Sequence, residues 1–233
     1  MGKLFTEQFA FSRGDSVVVI GLGRFGGAVA QSLMDLGHDV MGIDTAAEPV
    51  QRWSERLTHA VQADATDAAT MRQLGVADFS HAIVGIGTDM SASLMTLMAL
   101  TELELPDIWL KAMTASHGQI AQRIGAHHVV YPEADMGARV AHLVSGRMMD
   151  FIEFDDGFAI AKIHAPTLTH GQTLQACGVR ERFGVTVVGV KRLHEDFRHA
   201  TPDTLVQAGD LLIVSGPTQR VEKFAGRANR AER

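Results

Sequence analysis

The chain has 233 residues, 46% hydrophobic and 21% charged, with a net charge of −6, which suits one large globular domain or one standard and one small domain. That charge argues against nucleic acid as a partner, because the only basic concentration (Arg227, Arg230 and Arg233, with Glu232 among them) reads as a solvated end. The lone Cys177 excludes an internal disulfide and a thiolate zinc site and fits a small core residue in a reducing cytoplasm; no apolar run is long enough to span a membrane.

Residues 1–14 lack the apolar segment of a signal peptide and read as an extension whose Phe5, Phe9 and Phe11 pack locally. Val17–Ile20 is a buried strand, and Phe25–Leu36 an amphipathic helix that Gly37 ends as a C′ glycine. Between them Gly21, Gly23 and Gly26 supply G-x-G-x-x-G in the strand–turn–helix context that gives the pattern meaning. Gly21 permits the tight turn, Gly23 lets backbone approach a pyrophosphate, and Gly26 lets the helix pack on the sheet. Phosphate oxygens would meet free N–H groups at the helix N-terminus.

His38–Asp44 is a second strand, and Asp44, about twenty residues beyond the turn, is placed to bond ribose hydroxyls. Thr45 follows with no arginine for a 2′-phosphate, which disfavours NADP. A helix around Val50–Arg56 leads to the strand His59–Ala63 and the triplet Asp64-Ala65-Thr66. Asp64 carries two readings, a ligand contact at the sheet edge and an N-cap for the helix Asp67–Leu74. His81–Ile86 is the fourth strand, with Gly85 and Gly87 a second close backbone approach. In the helix Asp89–Leu103, Met90, Met95 and Met98 read as core filler. Asp107–Ala112, carrying Lys111, and Ala126–Tyr131, stopped by Pro132, complete a parallel, doubly wound α/β sheet.

Ala134–Met149 then reads as one helix with Val140, Leu143, Val144 and Met148 on a face. After the turn Asp155-Asp156-Gly157 come strands Phe158–Ile163, Val185–Val190 and Leu211–Val214, the last following a hairpin-type turn at Gly209-Asp210. Short helices near Thr173–Gln175 and at Thr218–Phe224 complete a small α+β lobe. The expected division is 1–14, 15–149, 150–226 and a tail at 227–233. The histidines lack metal-ligand spacing, and the adjacent His127 and His128 point to opposite faces of a strand.

A nicotinamide enzyme needs a proton-transfer group beside the ring. The only tyrosine is Tyr131, and four residues on stands Asp135, not lysine. Lys111 and His117 are the remaining candidates for an oxidoreductase, without a visible substrate pocket around them. A nucleotide sensor is the better reading.

The order of these motifs resembles the TrkA/KtrA-type regulators of potassium uptake, which join an RCK (regulator of conductance of potassium) nucleotide-binding domain to an RCK C-terminal domain. The matching residues run nearly end to end: Gly21-Leu22-Gly23-Arg24-Phe25-Gly26, Asp44, Asp64-Ala65-Thr66, Leu110-Lys111-Ala112, Ile124-Gly125-Ala126 and Tyr131-Pro132-Glu133. Gly171, Leu174, Arg180, Gly184, Gly209-Asp210 and Gly216 continue the match. The resemblance implies a non-enzymatic cytoplasmic subunit, peripheral on the membrane, forming dimers and an octameric ring beneath a TrkH/KtrB-like potassium-translocating protein.

It further implies ATP or ADP, or NAD(H), at the glycine turn, held by Gly21, Leu22, Gly23, Arg24, Phe25, Gly26, Asp44, Thr45, Asp64, Ala65, Thr66, Gly85, Gly87 and Lys111. Arg24 would reach a terminal phosphate, Asp44 the ribose, Asp64 and Ala65 the adenosine, and Lys111 would neutralise phosphate charge. Glu133 matches a position where some members bind a cation, and a plain surface glutamate is the alternative. The helix after Pro132 matches the family's crossover helix, which packs on another protomer. The C-terminal lobe resembles modules that bind cyclic di-AMP in some relatives, without transferable residues.

Overall fold

Val17, Val18, Val19 and Ile20 are all buried, which requires a central strand covered on both faces. That strand, β1 (Ser16–Ile20), belongs to a parallel sheet with β2 (Asp39–Asp44), β3 (His59–Gln62), β4 (His81–Val84), β5 (Ile108–Lys111) and β6 (His128–Val130) in a computed structural model that describes residues 16–144, 148–154 and 156–227. The sheet order is β3-β2-β1-β4-β5-β6, so the order in which strands are added reverses between β1 and β4, which run parallel. Expectations for 1–14, for Asp155 and for the tail beyond Arg227 lie outside the described residues.

The connections are α1 (Arg24–Asp35), α2 (Ala47–Trp53), α3 (Ala68–Gln73), α4 (Met90–Glu102) and α5 (Ala115–Ile124). Alternation along β1 divides the core. Val17 and Val19 pack with Ala30, Leu33 and Trp53 on the face covered by α1 and α2. Val18 and Ile20 pack with Met71, Leu97, Leu100 and Ala121 on the face covered by α3, α4 and α5. Helices on both faces of a parallel sheet make the doubly wound α/β fold. Gly37, at φ 89°, closes α1 by donating to the Met34 carbonyl, while His38 N–H reaches Leu33.

Three local expectations are corrected. The helix expected at Val50–Arg56 is α2, Ala47–Trp53, which starts earlier because Pro49 sits in its first turn, where a missing N–H costs nothing. Met90, Met95 and Met98 are not core: Met95 is 52% and Met98 58% exposed. Ser93, Thr96, Leu97 and Leu100 occupy the buried side of α4 instead. The cap of α3 is Asp67, whose carboxylate accepts from Ala69 and Thr70 N–H. Asp64 turns its carboxylate onto Thr66 N–H and hydroxyl, at 3.0 and 2.7 Å.

The chain divides into two units, Met1–Glu133 and Ala134–Arg233. The helix α6 (Pro132–Val144) thus groups mainly with the second, whereas the expected division fell after it. Its side chains explain why: Arg139 pairs with Asp150 at 2.5 Å, and His142 packs edge-on against Phe151 and 3.6 Å from Glu222. Pro132 begins the helix, where its fixed φ is pre-set. Met149 is no longer helical but leads into β7 (Asp150–Phe154), a strand whose charges mask it in the sequence.

In the second unit β7 pairs with β8 (Phe158–His164), followed by β9 (Gln172–Thr173), α7 (Leu174–Cys177), α8 (Val179–Phe183) and β10 (Thr186–Lys191). Then come β11 (Arg198–His199), β12 (Leu205–Val206), β13 (Leu211–Pro217) and α9 (Thr218–Ala225). The main sheet is antiparallel, ordered β11-β10-β13-β8-β7, with β9 and β12 paired separately. Ala161, Ile163, Leu212 and Val214 meet Val221 and Phe224 in its core, where Cys177 is also buried.

Candidate functional site

The turn after β1 and the turn after β4 lie side by side because the sheet order reverses there. Gly21 N–H donates to the Ile43 carbonyl at 2.8 Å, and Gly85 N–H to the Ile20 carbonyl at 2.7 Å. A methyl group on Gly85 would lie 3.2 Å from both the Gly21 oxygen and the Gly26 Cα. Three backbones therefore converge where side chains do not fit. Gly21 has φ 89°, a left-handed conformation that glycine adopts without strain.

Above this convergence opens a cleft of about 410 Å³. Among the expected residues, Gly21, Gly23, Asp44, Thr45, Asp64, Ala65, Thr66, Gly85 and Gly87 line it. In open doubly wound sheets ligands bind at this switch point, beyond the C-terminal strand ends. Asp44, at the end of β2, is already engaged: one carboxylate oxygen accepts from Leu22 N–H at 2.7 Å, the other from Ala46 N–H at 2.9 Å. It fixes the shape of the glycine turn as well as facing the cleft.

Five expected residues stand elsewhere. The Leu22 side chain is fully buried among Val17, Val19 and Leu57, so only its backbone serves the turn. Gly26 is buried inside α1, below the cleft. Arg24 is exposed on the first turn of α1, and Phe25 sits 5.6 Å from the Lys111 ammonium. Lys111 lies against Gly87, where a methyl group would stand 2.9 Å from its Nζ.

Lys111 donates to Glu133 at 2.5 Å, and this bond, with the Lys111 and Arg24 charges, holds the Glu133 carboxyl below the usual carboxylate range. The Lys111 ammonium thus stands beside Glu133, the residue matched to a cation position in some members of the resembled family. Among the described residues no group of three or more His, Cys, Asp or Glu is arranged to hold a metal ion.

His117 is not at the cleft. It is fully buried in α5, where its Nδ1 accepts from Met113 N–H at 3.2 Å and its Nε2 has no hydrogen-bond partner. Burial pushes its pKa below the usual 6.5. The unfolded chain then binds this proton more readily than the folded one, so the stabilising effect is complete above about pH 6.5 and is lost as pH falls through the folded-state value. Melting curves between pH 7 and pH 5 should show stability falling with acid, with a shallower slope in His117→Gln; an unchanged slope would assign the loss to other groups. His127 accepts from Ile108 N–H while His128 stacks on Trp109, in separate environments on neighbouring positions.

The sequence reading missed Thr88, Asp89, Ala92 and Thr96, which line the same cleft. Asp89 caps α4 by accepting from Ala92 N–H, so a second helix N-terminus borders the cleft. Its signal was present as Thr88-Asp89 directly after Gly85-Ile86-Gly87.

Residues 17–132 match the TrkA-N domain and residues 158–228 the TrkA-C domain. The Ktr system potassium uptake protein A of Bacillus subtilis (strain 168) is 32% identical over 225 residues, 96% of this chain and 98% of that protein. This chain belongs to the Ktr/TrkA family. Within that family, the Ktr system potassium uptake protein C of the same organism is 35% identical across 90% of this chain and 95% of its own length.

The two-unit Ktr/TrkA fold also matches the solved GsuK channel bound to NAD, with a TM-score of 0.63, 17% identity and 96% of this chain covered. GsuK bound to ADP matches with a TM-score of 0.50, 26% identity and 58% of this chain covered. The matches cover 41% of the NAD-bound GsuK chain and 35% of the ADP-bound one, less than half in each case. No helix among the described residues is long and apolar enough to cross a membrane.

Proposed function

We propose that this Ktr/TrkA family chain is the nucleotide-sensing, non-enzymatic gating subunit of a potassium channel or transporter. The observation that carries the reading is a nucleotide-sized cleft at the switch point, lined by Asp44 and the glycine turn, on a chain matching a Ktr protein over 96% of its length. A GsuK structure bound to NAD and one bound to ADP support the ligand class. Neither Lys111, tied to Glu133, nor the buried His117 offers a free proton-transfer group at the cleft, which does not favour the oxidoreductase reading.

ATP or ADP is the preferred occupant, with NAD(H) the competitor. The phosphates lie over Gly21 and Gly23, Arg24 reaches the terminal phosphate, and Asp64, Ala65 and Thr66 border the adenosine. Calorimetry with ATP, ADP, NAD and NADH tests this: ATP should bind more tightly than ADP, and Arg24→Ala should remove that difference. Equal affinities in both proteins would overturn the assignment of Arg24.

Lys111 gives the site a means of response. A polyphosphate beside Gly87 competes with Glu133 for the ammonium, freeing the carboxylate or allowing a cation to bridge. Glu133→Gln should therefore raise ATP affinity several-fold without divalent cation, by calorimetry. A drop in affinity confined to solutions containing magnesium or calcium would instead favour the cation bridge.

The exposed apolar side chains suit self-association. Met95 and Met98 on α4 lie close to Ile124, and Met136, Val140 and Val144 project from α6. We assign these faces to the dimer and the octameric ring that would sit beneath a TrkH/KtrB-like pore on the cytoplasmic side of the membrane. Light scattering should show Met95→Glu with Met98→Glu reducing the assembly to a smaller species. Moving a population from 1:99 to 99:1 takes about 5.5 kcal/mol, which several nucleotides in a ring can share. Cyclic di-AMP would have a separate place in a groove of about 460 Å³ in the second unit, lined by Leu174, Arg180, Val187 and Pro202.

A further inference from the structure

The second unit contains another cavity, of about 390 Å³, which the gating reading leaves without a role. It is built from two short pieces of sequence. Arg180 and Arg182 flank Glu181 in α8, while Arg220, Lys223 and Arg227 follow at three- and four-residue steps along α9 and just past its end. Such steps put the three cations along one side of the helix, bordering the stripe of buried Val221, Phe224 and Ala225.

The walls are pre-arranged. Phe183 packs on Phe224 with ring centroids 5.1 Å apart, and the Arg182 and Arg227 guanidinium carbons lie 5.4 and 5.0 Å from the Phe183 ring. Arg182 is anchored further by donating to the Cys177 carbonyl at 3.0 Å. Gly184 makes room for Arg220: a methyl group there would stand 2.1 Å from the Arg220 Nη1.

Five cations therefore face one carboxylate around a single cavity, in a chain whose net charge is −6. Among the described residues none of the five is in an ion pair, although exposed arginines elsewhere, such as Arg52 and Arg198, are. Convergent like charges repel and are held together most readily by an anion between them. Guanidinium forks match phosphate oxygens, and several at once favour a multiply charged group.

We propose that this cavity is a second anion site, for a compact phosphate-bearing group, either a soluble oligophosphate or the phosphate monoester headgroup of a lipid. Only Arg180 and Glu181 are shared with the neighbouring groove assigned to cyclic di-AMP, so Arg220 and Lys223 separate the two sites.

The test uses the full chain, inorganic tripolyphosphate in calorimetry, and flotation with phosphatidylcholine vesicles with and without phosphatidic acid. The double variant Arg220→Gln, Lys223→Gln should lose about 10-fold or more in affinity for whichever probe binds. Arg220→Lys, which keeps the charge but not the fork, should fall between, and Arg198→Gln should match the original chain. Tripolyphosphate binding that depends on these residues points to a soluble ligand; dependence seen only with phosphatidic acid vesicles points to the membrane. The proposal is overturned if the double variant binds both probes as the original chain does, if Arg24→Ala alone removes binding, or if neither probe binds. None of these results would alter nucleotide binding at the glycine turn, which is read separately with ADP.

Discussion

Replacing Gly26 by alanine is expected to abolish nucleotide binding and to lower the melting temperature by roughly 6–12 °C, as overpacking costs of about 3 kcal/mol imply for a chain of this size. The added methyl group would lie 1.9 Å from the Gly21 carbonyl oxygen and 3.1 Å from its carbon. Both atoms are backbone, so no side chain can move aside; α1 must lift from the sheet or the glycine turn must rebuild. Gly23→Ala is the informative partner. A methyl group on Gly23 meets nothing within 4 Å, and Gly23 has an ordinary φ of −69°. Gly23→Ala should therefore melt like the original chain yet bind ATP and ADP much more weakly, because the methyl group would stand where the proposed phosphate contact lies. Undiminished nucleotide binding by Gly23→Ala in calorimetry would remove the phosphates from this turn.

Asp44→Ala should weaken ATP, ADP and NAD binding by about 100-fold, the combined effect of two lost charge-assisted hydrogen-bonding roles. One role is visible in the structure, where the carboxylate accepts from Leu22 and Ala46 N–H and holds the turn ready. The other is the proposed ribose contact. A double-mutant cycle separates them. In the original chain 2′-deoxy-ATP should bind less tightly than ATP. In Asp44→Ala that difference should vanish, while a difference that persists would leave Asp44 as a turn-shaping residue alone.

The parallel sheet was legible because a strand buried on both faces must be apolar throughout, as Val17–Ile20 is, and because glycines mark both ends of α1, at Gly21, Gly23 and Gly37. The cleft was legible where backbone conformation demands a residue type, at Gly21, or where a strand ends in an acid, at Asp44. At Thr88 and Asp89 only a helix start directly after Gly87 was visible, and at Ala92 and Thr96 nothing, because all four reach the cleft only through the reversal of strand order between β1 and β4. No local pattern records that reversal.

Helix α4 misled for a related reason. Apolar or small residues occur on all its sides, so periodicity does not say which is buried. Packing against the sheet selects Ser93, Thr96, Leu97 and Leu100 and leaves Met95 and Met98 outside. In the second unit, β9, β11 and β12 have only two residues each, too few to show alternation, and β7 carries Asp150 and Glu153. Asp210 shows the opposite case. A turn does stand there, with Asp210 N–H reaching the Gln207 carbonyl, but it is not a hairpin, because β12 pairs with β9 and β13 with β8 and β10. The buried Asp210 carboxylate accepts from Gln207 N–H at 2.8 Å and lies 3.4 Å from the Arg192 Nε.

Gating is tested most directly by potassium flux into vesicles that hold a TrkH/KtrB-like pore together with this chain. Flux should differ between ATP and ADP, and the difference should disappear with Arg24→Ala although the chain stays bound to the pore. Equal flux with ATP, with ADP and without nucleotide would contradict the account.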